Sequence, residues 1–277
     1  MEQFLTGYAQ FLQNISKSPH TVKQYVLDAK HFVTFWSEHE NDPFNDVLLQ
    51  YRQHLCENYA ITSVNRKLAG TRKYVQFLYD RAYVPSYSDT IFEPFEKSEP
   101  NLAHLSKKQL RAIYETLHAL YEQAKDEEHQ FLAQRHLTMF ELFITTGVKP
   151  FECVQMQWQH IQYPNLVVRH NDAHRTITLP TSLLKQLQLL KQQSDRIFDE
   201  QPYVWLGIGN KRGEPITEKT VERFFKMLSE YVGFKVTATI CRYTLLYEQN
   251  TNAEHNKMGY SRKDVMTERL KKLSSKK

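Results

Sequence analysis

Apolar residues return every three or four positions through almost the whole of this chain, a rhythm that only helices can bury on one face. Phe4, Tyr8, Phe11 and Leu12 begin it. Val22, Tyr25, Ala29, Phe32, Val33 and Trp36 follow a Ser18-Pro19 start, where serine caps free amides and proline fits the first helical position. Asn41-Asp42-Pro43 opens a third helix with Phe44, Val47, Leu48, Tyr51 and Leu55 inward, and a fourth runs from about Thr62 to Arg81 over Val64, Leu68, Thr71, Val75 and Leu78.

The rhythm breaks twice. Pro85 to Pro100 is rich in Pro, Ser and acidic residues, so the expected organisation is a four-helix domain over 1–84, a linker over 85–104 and a second domain over 105–277. In that second domain helices are expected at Lys107 to Glu122, near Glu127 to Ile144 with a stop at Gly147, over Cys153 to Trp158, at Ser182 to Asp195, from Thr217 to Val232, and from about Thr239. The second break is a change of period to two over Asn165–Arg169 and Arg175–Leu179, which predicts a hairpin. The fold class is mainly α with a small β-sheet.

Composition narrows the function classes. The first residues carry no basic stretch leading into an apolar one, and no apolar run approaches the ~20 residues that span a bilayer, so a cytoplasmic location without membrane contact is expected. Cys56, Cys153 and Cys241 are far apart and odd in number, which reads as reduced core thiols. A net charge of +5 is compatible with a nucleic-acid partner. The end of the chain is basic, with Arg262, Lys263, Arg269, Lys271, Lys272, Lys276 and Lys277 against Asp264 and Glu268, a composition that suits a solubilising tail or phosphate contacts equally.

Several strings, in order, resemble the tyrosine recombinase (phage integrase) family. Ser18-Pro-His-Thr-Val-Lys-Gln-Tyr and Ser63-Val-Asn-Arg-Lys-Leu-Ala-Gly-Thr-Arg-Lys-Tyr resemble its core-binding, SAM-like domain. Leu142-Phe-Ile-Thr-Thr-Gly-Val-Lys-Pro-Phe-Glu-Cys is similar to its first catalytic box, and Asn210-Lys-Arg-Gly-Glu-Pro-Ile-Thr leading to Thr239-Ile-Cys-Arg-Tyr-Thr to the approach to its second. The resemblance implies a tyrosine hydroxyl attacking a phosphodiester, arginines and a histidine holding the phosphoryl oxygens, and a hairpin lysine protonating the leaving 5′ oxygen.

Position by position, the match is incomplete. Lys149 stands where the family has its first arginine, and lysine lacks the planar fork that grips two oxygens. The hairpin lysine position falls near His170, with Arg169 and His174 beside it; the two histidines suggest no third ligand, and no metal or cofactor is expected. In the second box Thr239 replaces histidine while Arg242 remains. Tyr260 occupies a histidine position, the nucleophile's place falls at or near Arg269, and no tyrosine lies between Ser261 and Lys277. Tyr243 and Tyr247 fit core or surface roles, and Tyr260 is the downstream candidate for the missing hydroxyl.

The expectation from these departures is a chain that is not an enzyme: a binder of double-stranded DNA serving as a site-specific repressor of a phage or mobile element, similar to the integrase-like repressors of SPbeta-type Bacillus phages. A divergent recombinase is the alternative, and a partner of an active recombinase that no longer binds DNA is a third. The resemblance carries DNA contacts to Lys23, Gln24, Asn65, Arg66, Arg72 and Lys73 in the first domain. In the second it carries them to Lys149, Lys211, Arg212, Thr217, Lys219, Thr220, Arg223 and Arg242. It also implies self-association through the segment from Ser261 onward and leaves room for a protein or peptide effector.

Overall fold

The computed structural model describes residues 2–96, 102–170, 173–249 and 263–274. The chain divides into two compact units, 1–100 and 101–277. Among the described residues no helix is long and apolar enough to cross a membrane.

The first unit holds α1 (Glu2–Asn14), α2 (Pro19–Ser37), α3 (Phe44–Asn58) and α4 (Ile61–Tyr79). Ser18 accepts the Thr21 amide at 3.2 Å at the start of α2, as the Ser-Pro pair predicts. The four apolar stripes close on a core of Tyr8, Phe32, Tyr51, Leu55, Leu68 and Tyr74. Where α2 meets α4 the backbones come close: a Cβ placed on Gly70 would lie 2.7 Å from an Asp28 oxygen, so only glycine fits. Asp28 is buried there and is balanced by Arg66, whose guanidinium reaches it at 2.5 Å.

Within the stretch expected as linker, residues up to Phe95 pack on this unit. Ile91 and Phe92 join its core. Arg52 donates to the carbonyls of Ile91 and Glu93, and Arg72 donates to the Asp89 carboxylate. Composition marked the loss of helical rhythm but not the packing, because an irregular chain can still be tied down by side chains that satisfy its backbone groups.

The second unit is organised around α6 (Glu127–Thr146), which follows α5 (Lys107–Glu122) and is buried on nearly all sides. Gly147, at φ 61°, ends it in the left-handed region that favours glycine. The helix expected over Cys153 to Trp158 is shorter and earlier: α7 spans Pro150–Val154, followed by a 3₁₀ turn at Trp158–His160. A strand β1 (Ile161–Gln162), absent from the sequence expectation, pairs antiparallel with β2 (Asn165–His170), which pairs with β3 (Ala173–Thr178). Two residues are too few to show a period. Then come α8 (Thr181–Ile197), α9 (Glu218–Val232), α10 (Ala238–Gln249) and α11 (Lys263–Ser274).

Two further expectations change. Cys153 and Cys241 are buried, but Cys56 is exposed on the outer face of α3. The basic end is not only a tail: α11 buries Met266 and Leu273 against Leu102, Leu245 and Leu246, with Lys271 exposed on its outer side and Arg269 turned toward Tyr243.

Candidate phosphate-binding site

The two family boxes meet in the second unit at the turn after α6, where the first of them carries a buried carboxylate. Glu152 sits at the third position of α7, 1% exposed at its side chain. Its Oε2 accepts the Lys149 backbone amide at 2.7 Å, fixing the turn between α6 and α7. Both its oxygens accept the Arg175 fork, at 2.6 and 2.7 Å. From α10, Arg242 is buried and donates to the Gly147 carbonyl at 3.2 Å. Arg175 thereby ties the hairpin to α7 through Glu152, and Arg242 ties α10 to the turn after α6, with the Lys149 side chain at the same turn.

The electrostatics follow from that arrangement. Burial makes the Lys149 ammonium easier to deprotonate; Glu152 opposes this, while Arg242 and Arg175 reinforce it, and the net direction is down from the ordinary lysine value. Burial works to raise the Glu152 carboxyl, but the hydrogen bonds from Arg175 and the Lys149 amide, with both positive charges, hold it below the usual carboxylate range. Lys149 feels the positive charges of Arg242 and Arg175 among the described residues, a local potential that favours an anion.

Arg175 is the residue the sequence reading missed. The signal was present: in β3, Arg175 shares the inward phase of the alternation with buried Ile177 and Leu179. A charged residue on the buried face needs a partner, and the acid three positions after Lys149 supplies it.

The other predicted positions divide. Thr239 is exposed at the start of α10. Arg169 and His174 face each other in the hairpin register, both exposed, while the side chain of His170 and all of Tyr260 lie outside the described residues. Arg269 lies on α11 and its guanidinium donates to the Tyr243 hydroxyl. In the first unit Lys23 is exposed and Gln24 reaches Asp28 at 3.4 Å. Asn65, expected on DNA, is buried and exchanges hydrogen bonds with the Phe95 backbone at 2.8 and 2.9 Å, a structural task that occupies both its amide groups. Arg66 and Arg72 are engaged by Asp28 and Asp89, and Lys73 lies 5.6 Å from the Phe11 ring centroid. In the second unit Lys211 pairs with Glu214 and Arg212 with Glu128. Thr217 and Thr220 face each other at 3.4 Å across the first turn of α9, and Lys219 and Arg223 are exposed on that helix.

Comparison with known proteins gives the class. The family model described as phage integrase, N-terminal SAM-like domain, matches residues 5–82, and the model described as phage integrase family matches residues 103–246. This chain belongs to the phage integrase family. It is 26% identical to the tyrosine recombinase XerC of Halalkalibacterium halodurans over 58% of this chain and 52% of that one, so it spans about half the length of that relative. It is 23% identical to the tyrosine recombinase XerA of Pyrococcus furiosus over 85% of this chain and 76% of that one. The fold is shared with a lambda integrase (residues 75–356) dimer bound to a COC′ core site, at a TM-score of 0.71 and 14% identity, covering 98% of this chain and 95% of that one. It is shared too with the XerH recombinase bound to a palindromic difH substrate, at a TM-score of 0.70 and 11% identity over 92% and 79%.

These findings correct the expectation that the chain is not an enzyme. The curated relatives are tyrosine recombinases, an enzyme class, and the catalytic-domain model covers both boxes. Replacement of individual side chains is a statement about those positions and not about the class of the chain.

Proposed function

We propose that this chain binds double-stranded DNA and acts on it as a divergent site-specific recombinase of the integrase type. The observation that carries this reading is that Arg242, from the second box, reaches the turn after α6 beside Lys149, where Arg175 is held by Glu152. A phosphodiester seated against Lys149 and Arg242 has its non-bridging oxygens neutralised, which lowers the cost of the charge that builds when an oxygen nucleophile adds to phosphorus. The exposed Lys219 and Arg223 at the start of α9 give the duplex a phosphate contact outside the pocket, where the helix dipole also favours negative charge. In this reading two copies meet on one site, as in the lambda integrase dimer and tetramer on DNA.

Incubation with a nicked suicide duplex tests it. A protein–DNA adduct that survives denaturation is the expected result, together with bound genomic sites centred on an attachment site rather than over promoters. Retardation of the duplex without any adduct would overturn the strand-cleaving part and leave a duplex-binding protein.

A further inference from the structure

Breaking the bond from phosphorus to a 5′ oxygen leaves an alkoxide, a strong base that departs readily only when a proton reaches it as the bond breaks. A guanidinium can neutralise that charge but keeps its protons throughout the usual pH range, whereas an ammonium can give one up. Of the three cations that the structure brings to the turn after α6 and the carboxylate beside it, Arg175 and Arg242 are of the first kind and Lys149 is of the second. Lysine lacks the planar fork, but it carries a transferable proton.

The surroundings of Lys149 suit that use. The residue is half-buried at the turn into α7, so its side chain is open to a substrate from one side. Among the described residues its ammonium makes no ion pair, and it lies 5.6 Å from the centroid of the Phe151 ring. Both oxygens of Glu152 already accept hydrogen bonds, from the Arg175 fork and from the Lys149 backbone amide. Burial and the charges of Arg242 and Arg175 move the ammonium down from the ordinary lysine value against the pull of Glu152, which makes it a stronger acid. Those are the charged groups that act on it from α7, β3 and α10. The leaving 5′ oxygen is bonded to the same phosphorus as the non-bridging oxygens, so an ammonium on a flexible four-carbon stem reaches from one to the other.

We propose that Lys149 is the general acid of strand cleavage, giving its proton to the leaving 5′ oxygen while Arg242 neutralises the phosphoryl oxygens, an assignment that rests on the recombinase reading. The oxygen of a protein hydroxyl bonds to the scissile phosphorus as the bond from phosphorus to the 5′ oxygen breaks. The Lys149 ammonium protonates that 5′ oxygen, leaving a phosphodiester joined to the protein, a free 5′-hydroxyl and a neutral amine. The proton lost by the attacking hydroxyl passes to solvent, and the amine recovers one from solvent, so protons balance. No oxidant or reductant enters.

The experiment compares the rate of adduct formation by the full chain, at saturating protein, on two nicked suicide duplexes: one ordinary, the other with sulfur in place of the scissile 5′ bridging oxygen. A thiolate leaves without being protonated, because thiols are far more acidic than alcohols. Lys149→Arg keeps the charge, so thermal unfolding, duplex affinity and its salt slope are expected to match the native protein. Its adduct is expected to form roughly 100-fold more slowly on the oxygen duplex and within about 3-fold of the native rate on the sulfur duplex. The native protein supplies a second measurement that needs no variant. Its rate on the oxygen duplex is expected to fall with rising pH below the ordinary lysine range, and to show no such fall on the sulfur duplex. A native rate for Lys149→Arg on the oxygen duplex assigns the proton to another group. Equal slowing of that variant on both duplexes makes Lys149 a charge contact alone. Either result overturns the proposal and leaves the recombinase reading standing, whereas absence of adduct from the native protein on both duplexes overturns the two together.

Discussion

Replacing Arg175 with methionine removes the charge from the Glu152 pair while keeping most of the apolar stem. Glu152 is 1% exposed at its side chain and Arg175 14%, so neither can turn to water when its partner is lost. Two charged hydrogen bonds at 2.6 and 2.7 Å disappear, and a buried carboxylate keeps the Lys149 amide as a donor. Breaking one side of such a pair costs about 3–5 kcal/mol. For a unit of this size that corresponds to a fall in Tm of roughly 6–20 °C. The sign with pH is a sharper test. In the native protein Glu152 is held below its ordinary value, so its contribution is present above about pH 4.5 and is lost as pH falls through the lower folded value. In Arg175→Met the lowering by the guanidinium is gone and burial dominates, so the folded value rises and the carboxylate becomes a liability as pH increases. Chemical unfolding of both proteins between pH 4 and 8 is expected to show a stability gap that widens with pH. A gap below about 1 kcal/mol, or one independent of pH, would refute the argument that this pair is a buried charge balance.

Gly70→Ala forces a methyl against the Asp28 carboxylate, 2.7 Å away, and is expected to destabilise the first unit by roughly 1–3 kcal/mol in thermal unfolding, with the second unit unaffected. Gly147→Ala places a side chain at φ 61° and should cost about 1 kcal/mol, measurable in urea. Lys149→Gln is expected to weaken binding to all duplex sequences and to reduce the slope of log affinity against log salt by about one; an unchanged slope removes Lys149 from the phosphate contacts. Lys219→Gln with Arg223→Gln should also weaken duplex binding while leaving stability within about 0.5 kcal/mol, since both side chains are exposed; a large stability loss would assign them to the fold instead.

Much of the architecture was legible because burial of helices imposes a period. The stripes of α2, α3 and α4, the Ser18-Pro19 start and the Gly147 stop all lie in local sequence, where capping and left-handed backbone have few solutions. The hairpin was readable from its period of two, but β1 was not, and α7 was placed too long because a single turn with proline at its start has no period to measure. The packing of Tyr87 to Phe95 on the first unit was hidden, since it depends on Asn65, Arg52 and Arg72, whose polar side chains look like surface groups until their partners are known.

The candidate site divides along the same line. Lys149 and Arg242 could be named from the strings around them, because the turn after α6 and the first turn of α10 are local structures. That Asn65 serves the Phe95 backbone, that Arg175 pairs with Glu152, and that Arg269 addresses Tyr243 could not. Each joins residues 23 to 30 positions apart through a side chain whose direction is set by packing. Sequence by itself determined which segments are helical and where two boxes of charge fall along the chain. Only the tertiary structure decided which charges are paired with one another, because the free energy of a buried charge depends on the groups around it and not on its neighbours in the chain.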